Sequence, residues 1–142
     1  MTRFLSTTAA LVAFFLGANL SGQQQNPATA AAEEPKVIEM TAKKYEYSPA
    51  EIRVKKGMRV QLKIRALDRT HGFKLTLYPE GAAQSGPPGL RFDPQQDNWK
   101  LEKDQGRVIE FVDERPGTYD FKCSNFCGLG HRRMKGKLIV EE

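Results

Sequence analysis

From residue 37 onward the sequence predicts an all-β fold, an antiparallel β-sandwich or barrel of about 100 residues. Three observations carry that reading. Apolar residues alternate with polar ones instead of recurring at helical spacing. Glycine and proline pairs punctuate the text at short intervals. No long amphipathic helical pattern interrupts the series. The chain has 142 residues, and a removable leader leaves roughly 110 to 120 for one domain, which excludes a two-domain enzyme. A hydrophobic content of 39% is ordinary for a globular domain and excludes disorder throughout.

Residues 1–22 begin with Arg3 near the start, continue through 17 uncharged residues from Phe4 to Leu20, and end in Ser21 and Gly22. That order of charged, apolar and small residues is the pattern of a secretory signal peptide. The alternative is a short membrane anchor, although the stretch sits at or below the usual spanning length and carries Ser6, Thr7, Thr8 and Asn19. Both readings place the rest of the chain in the periplasm or another extracytoplasmic space, with membrane contact only if the segment is retained. Residues 23–36 are rich in Gln, Ala and Glu without a period, the composition of a flexible linker.

The folded domain is expected over residues 37–142. Its cleanest strand alternates Met58, Val60, Leu62 and Ile64 with Arg59, Gln61, Lys63 and Arg65, one face dry and one wet. The same period runs through Ile52 and Val54, through Phe73, Leu75 and Leu77, through Ile109 and Phe111, and through Tyr119, Phe121 and Cys123. Turns are expected at Lys56-Gly57, Pro79 to Gly81, Gln105-Gly106, Pro116-Gly117 and Lys135-Gly136. The stretch from Glu80 to Lys103, with Pro87, Pro88, Gly89 and Pro94, reads as a long surface excursion with room for one short helical turn. Trp99 within it is expected to close one edge of the core.

The chain holds only 2 Cys and 2 His. Both Cys and one His fall in the run Cys123-Ser124-Asn125-Phe126-Cys127-Gly128-Leu129-Gly130-His131-Arg132-Arg133-Met134, with the spacing C-x3-C-x3-H-x2-M. This run joins the strand ending at Cys123 to one expected at Lys137 to Val140, and Gly128 and Gly130 permit tight folding because glycine tolerates positive φ. Two thiolates, an imidazole and a thioether form a soft donor set, and the thioether points to copper rather than zinc. His71 sits between two expected strands, at the same kind of strand end, and offers a fifth donor. Two Cys in an exported protein can also form one disulfide, but closing so small a loop stabilises by on the order of 2 kcal/mol or less. Zinc on two Cys and two His is a further alternative, though a structural zinc site does not recruit Met.

This run resembles the purple dinuclear copper (CuA) motif of cytochrome c oxidase subunit II and nitrous oxide reductase. Asp68-Arg69-Thr70-His71 is similar to the D-x-x-H element that supplies that family's upstream His. The resemblance extends over roughly Val37 to Glu142 and implies a cupredoxin-like Greek-key sandwich or barrel. It implies two copper ions per chain, with Cys123 and Cys127 as bridging thiolates, His71 and His131 each on one copper, Met134 as a weak axial ligand and Asn125 contributing its backbone carbonyl. Asn125 stands where subunit II usually has Glu, a departure that bears on tuning because the donor is main chain. The implied role is electron transfer between a c-type cytochrome or similar donor and a terminal acceptor, by a free carrier or by a subunit II-like component beside oxidase subunit I. Phe126 and Leu129 are expected to exclude water from the site and help set its potential.

Two other functions share these ligands, a mononuclear blue copper protein and a periplasmic copper carrier or metallochaperone. With both His in the metal set, no general base, nucleophile or Ser-His-Asp arrangement is left, so chemistry on a substrate by this chain alone is not expected. The net charge of +5 is mild and the Lys and Arg are spread along alternate strand positions, which argues against nucleic-acid binding. Arg132, Arg133, Lys135 and Lys137 surround the expected site and read either as a solvated surface or as a basic rim for an acidic redox partner.

Overall fold

The computed structural model describes residues 34–142. The expected leader, and the expected linker up to residue 33, lie outside them. Among the described residues no helix is long and apolar enough to cross a membrane.

The chain runs through β1 (Lys36–Lys43), β2 (Glu46–Ser48), β3 (Glu51–Lys55), β4 (Arg59–Ala66), β5 (His71–Leu75), β6 (Leu90–Arg91), β7 (Asn98–Leu101), β8 (Gly106–Asp113), β9 (Gly117–Lys122) and β10 (Lys135–Glu141). A 3-10 helix, His131–Arg133, precedes β10. Two five-stranded sheets form the sandwich, in the orders β2-β1-β4-β8-β6 and β3-β10-β9-β5-β7. The all-β expectation holds, with one difference in pairing: β1 lies parallel to β4, and β3 parallel to β10. The cause is connectivity. Between β1 and β4 the chain crosses into the other sheet as β3, so β4 returns beside β1 in the same direction.

The alternation that predicts the strands is the one that builds the core. In β4, Val60, Leu62, Ile64 and Ala66 are buried while Arg59 and Arg65 face water, and each large apolar side chain so buried contributes roughly 1.5 to 3 kcal/mol. Tyr47, Phe73, Phe121, Trp99, Phe92 and Phe111 form a run of edge-on and tilted ring contacts through the interior, with centroids 5.1 to 6.1 Å apart.

Two local expectations are corrected. The stretch from Glu80 to Lys103 is more than a surface excursion, because it supplies β6 and β7 and buries Leu90, Phe92, Trp99 and Leu101. Trp99 does pack at a sheet edge, on β7, against Phe73 and Phe92. Lys135-Gly136 is the start of β10 rather than a turn. Gly136 faces Phe121 across the ladder, and a Cβ there would meet the Ala50 carbonyl and the Phe121 ring, so close packing and not turn geometry requires glycine.

The sandwich has two poles. At one, β8 ends in Asp113, which is fully buried and whose carboxyl oxygens have no hydrogen-bond partner. Burial pushes its pKa up to about 6, against the pull of the nearby Met58, Asp113 and Gly57 amides and of Lys36. Because the folded-state pKa exceeds the unfolded value, the native state holds the proton more tightly, and stability falls as pH rises from about 4 through about 6. Asp113→Asn is expected to flatten that dependence and to stabilise the fold at pH 7 by on the order of 1 kcal/mol. Urea unfolding at pH 5 and pH 7 measures the difference. A wild-type stability that rises over this window contradicts the assignment.

Candidate metal centre

The other pole gathers the chemistry-bearing residues, and strand register explains how. β5 and β9 are antiparallel, with Lys74 opposite Lys122 and Leu75 opposite Phe121. Running the register two residues past the end of β9 brings Gly72 beside the backbone of Ser124. The Gly72 N–H points at Cys123 Sγ, 3.4 Å away, and His71, the first residue of β5, lies next to it. The segment from Cys123 to Met134 is closed at its base by a hydrogen bond from the Cys123 N–H to the Met134 carbonyl, 3.0 Å. Gly128, at φ 125°, turns it inward, and bonds from His131 N–H to Gly128 O and from Arg133 N–H to Gly130 O complete the tight fold.

The six residues expected in the metal set come together here. Cys123 Sγ lies 3.8 Å from Cys127 Sγ, 4.0 Å from His71 Nδ1 and 3.0 Å from the Asn125 carbonyl oxygen. Cys127 Sγ lies 3.8 Å from His131 Nδ1 and 3.9 Å from Met134 Sδ. Cys123, Cys127, His71 and Met134 are buried, and His131 is half-buried. Neither cysteine is in a disulfide. Burial and then the neighbouring Cys123 push the Cys127 thiol up to about 11, so a buried thiolate pair here calls for a cation beside it.

Residues outside that set hold it in place. His71 Nε2 donates to Asp68 Oδ1 at 2.7 Å, which leaves Nδ1 with its lone pair toward Cys123. Burial opposes ionisation of Asp68, but the hydrogen bonds from His71 and from the Lys44 N–H, the latter 2.9 Å, hold its carboxyl below the usual range. Arg69 Nη1 donates to the Cys127 carbonyl at 2.7 Å and ties the β4–β5 loop to the cysteine segment. The buried Tyr47 hydroxyl donates to the Gly72 carbonyl, while burial first and the Cys123 and Cys127 thiols next raise its pKa well above the usual phenol value. The Tyr45 ring lies under Gly130, and its hydroxyl lies 2.6 Å from where a Gly128 Cβ would project. Sequence reasoning missed Tyr45, Tyr47 and Gly72; for Gly72 a glycine inside a strand next to His71 was a readable sign of close backbone approach.

The donors fit a soft transition metal. Two sulfurs on one tetrahedral centre are about 3.8 Å apart and a sulfur and an imidazole nitrogen about 3.5 Å, so the observed spacings need little contraction to close on a metal. The thioether of Met134 at 3.9 Å from Cys127 Sγ favours copper over zinc.

One expectation fails. Phe126 and Leu129 do not exclude water, since they are 75% and 100% exposed. The turn at Gly128 directs the thiols inward and these two side chains outward, and Tyr45 and Tyr47 occupy the inner side instead. Of the four expected rim cations, Arg132, Arg133 and Lys135 are exposed near the site, whereas Lys137 is on β10 and paired with Glu80 at 3.4 Å.

A two-sheet sandwich with thiols, imidazoles and a thioether converging from strand ends at one pole defines a β-sandwich metal-site domain. Residues 7–140 match the model of the cupredoxin-like domain, and the chain belongs to that family. It is similar to cytochrome c oxidase subunit 2 of Thermus thermophilus, 32% identical over 98 residues, covering 68% of this chain and 58% of the relative. It is also similar to nitrous-oxide reductase of Ralstonia nicotianae, 26% identical over 108 residues, covering 73% of this chain and 14% of the relative. Among solved structures, auracyanin A, a "blue" copper protein from Chloroflexus aurantiacus, shares the fold with a TM-score of 0.56 at 17% identity, over 76% of this chain and all of that one. The chain therefore spans little more than half the length of the oxidase relative it matches.

Proposed function

We propose that this chain is an exported electron-transfer domain with a dinuclear copper centre, held by His71, Cys123, Asn125, Cys127, His131 and Met134. The observation that carries the reading is that the two imidazoles face different sulfurs, His71 toward Cys123 at 4.0 Å and His131 toward Cys127 at 3.8 Å, while the sulfurs face each other at 3.8 Å. That is a two-ended donor set. Copper bound there would supply one-electron storage shared by two metals, with little change in any one bond as the electron comes or goes. The protein's part is to keep both ends fixed: Asp68 orients His71, Arg69 anchors the Cys127 carbonyl, and the β5–β9 ladder fixes Cys123. The similarity to an oxidase subunit and to nitrous-oxide reductase supports a respiratory setting, with a c-type cytochrome as donor and an oxidase subunit I or another terminal acceptor beyond. The signal-like residues 1–22 support an extracytoplasmic place for it.

A mononuclear blue site is the second reading, favoured by the convergence of His71, Cys123 and Cys127 donor atoms within 4.8 Å of one another. Copper stoichiometry with an electron paramagnetic resonance spectrum separates the two. A purple protein with two coppers per chain and hyperfine coupling to two equivalent nuclei is expected; one copper with an intense blue band overturns the dinuclear reading. Met134→Leu is expected to retain most of the copper and to shift the reduction potential by on the order of tens of millivolts, because it removes a weak donor and keeps the packing volume. Metal analysis and a spectroelectrochemical titration measure both.

A further inference from the structure

The cysteine segment presents an apolar tip inside a field of one sign. Phe126 is 75% exposed and Leu129 fully exposed, two large hydrophobic side chains that nothing among the described residues covers, on the very segment that holds the thiols. From Phe121 to Val140 the sequence contains five cations and no acidic residue. Arg132 and Arg133 directly follow His131, are exposed, and make no ion pair among the described residues. The carboxylates near this pole are each engaged: Asp68 accepts from His71 and the Lys44 N–H, Glu102 from Lys100 and Thr70, Glu46 pairs with Lys43, and Asp104 with Lys103. Arg69, also exposed, adds a cation beside Cys127.

We infer that Phe126 and Leu129 form the centre, and Arg69, Arg132 and Arg133 the rim, of a docking surface for a redox protein whose electron-exchange face is apolar in the middle and acidic around it. This rests on the proposed copper centre for its purpose, though not for its chemistry. Exposed aromatic and aliphatic side chains are anchors in a transient interface, and a rim of uncompensated cations steers an oppositely charged partner and repels a like-charged one. Phe126 also links that surface to the site, its ring centroid lying 6.1 Å from that of His131. In each productive encounter one electron passes from the partner's reduced group to the oxidised centre, with no atom transferred.

The test uses the copper-loaded full chain and two probes with the same haem: a c-type cytochrome whose haem edge is ringed by lysines, and the same cytochrome with its lysines succinylated. Stopped-flow rates at low salt are expected to favour the succinylated form by roughly tenfold or more, an advantage that shrinks as ionic strength rises. Substituting Arg132→Glu together with Arg133→Glu is expected to remove or reverse the preference. Phe126→Ser with Leu129→Ser is expected to slow both probes, and to do so at high salt as well. Copper content and spectrum are expected to be unchanged in all these variants. A second arm needs no metal: amide shifts at residues 126–133 of the copper-free chain are expected on titration with the succinylated cytochrome and not with the lysine-ringed one. A chain that takes up no copper sinks the electron-transfer reading while this arm still reports on the surface. Equal or better reaction and binding with the lysine-ringed form, or rates indifferent to all four substitutions, overturns the docking surface.

Discussion

Cys123→Ser and Cys127→Ser are each expected to abolish the spectrum of the proposed copper pair and to lower copper affinity by at least about a hundredfold. A serine hydroxyl does not ionise near neutral pH and offers a hard oxygen where a soft, polarisable donor is needed. The two losses are not equivalent in geometry. Cys127 Sγ is the atom that faces both His131 and Met134, whereas Cys123 Sγ faces His71 and the Asn125 carbonyl. Cys127→Ser therefore strips one end of the set of its sulfur bridge to two other donors, and Cys123→Ser strips the other. The fold itself is expected to survive, because burying a hydroxyl in place of a thiol costs about 1 to 3 kcal/mol. Metal analysis and paramagnetic resonance of both variants, beside circular dichroism of the copper-free proteins, separate lost ligation from lost structure. Two coppers with an unaltered spectrum in both variants would refute the ligand assignment.

Gly72→Ala is expected to cost about 2 to 3 kcal/mol of stability and to impair copper uptake as well. A Cβ at this position would stand 2.6 Å from the Asn125 nitrogen and 2.9 Å from the Ser124 nitrogen, and would overlap the Ser124 hydroxyl. A side-chain oxygen can swing aside, but main-chain nitrogens cannot. Relief requires the cysteine segment to back away from β5, which also separates Cys123 Sγ from the Gly72 N–H and from His71 Nδ1. For a domain of this size the midpoint of thermal unfolding is expected to fall by roughly 10 °C or more in the copper-free protein. A midpoint within a degree or two of wild type shows that the segment yields easily and that β5 does not set the site's dimensions.

Much of the fold was legible because half-buried strands write their burial into the sequence with a period of two. Val60, Leu62 and Ile64 are the clearest case, and each is buried. The pairing pattern was not legible in the same way. Alternation says which face of a strand is dry and nothing about which strand lies beside it, so the parallel pairs β1 with β4 and β3 with β10 escape it. The two-residue β6 and four-residue β7 are too short to show a period within a stretch holding Pro87, Pro88 and Pro94. At the candidate site the donor types and spacing are local and could be read directly. The outward course of Phe126 and Leu129 could not. It follows from the turn at Gly128 and from Tyr45, about 80 residues earlier in the chain, lying beneath that turn.

The parallel pairing of β1 with β4 also has a mechanical meaning. β1 starts at Lys36, at the Asp113 end of the sandwich, and its eight residues carry the chain roughly 25 Å toward the thiols. A tension applied at Glu34, with the domain gripped at its opposite end by a bound protein, acts along the axis of β1. Its seven register pairs with β4, from Lys36 with Val60 to Ala42 with Ala66, are then loaded in shear, all together, instead of being peeled one after another. Pulled in that direction, the sandwich would resist as one ladder rather than strand by strand.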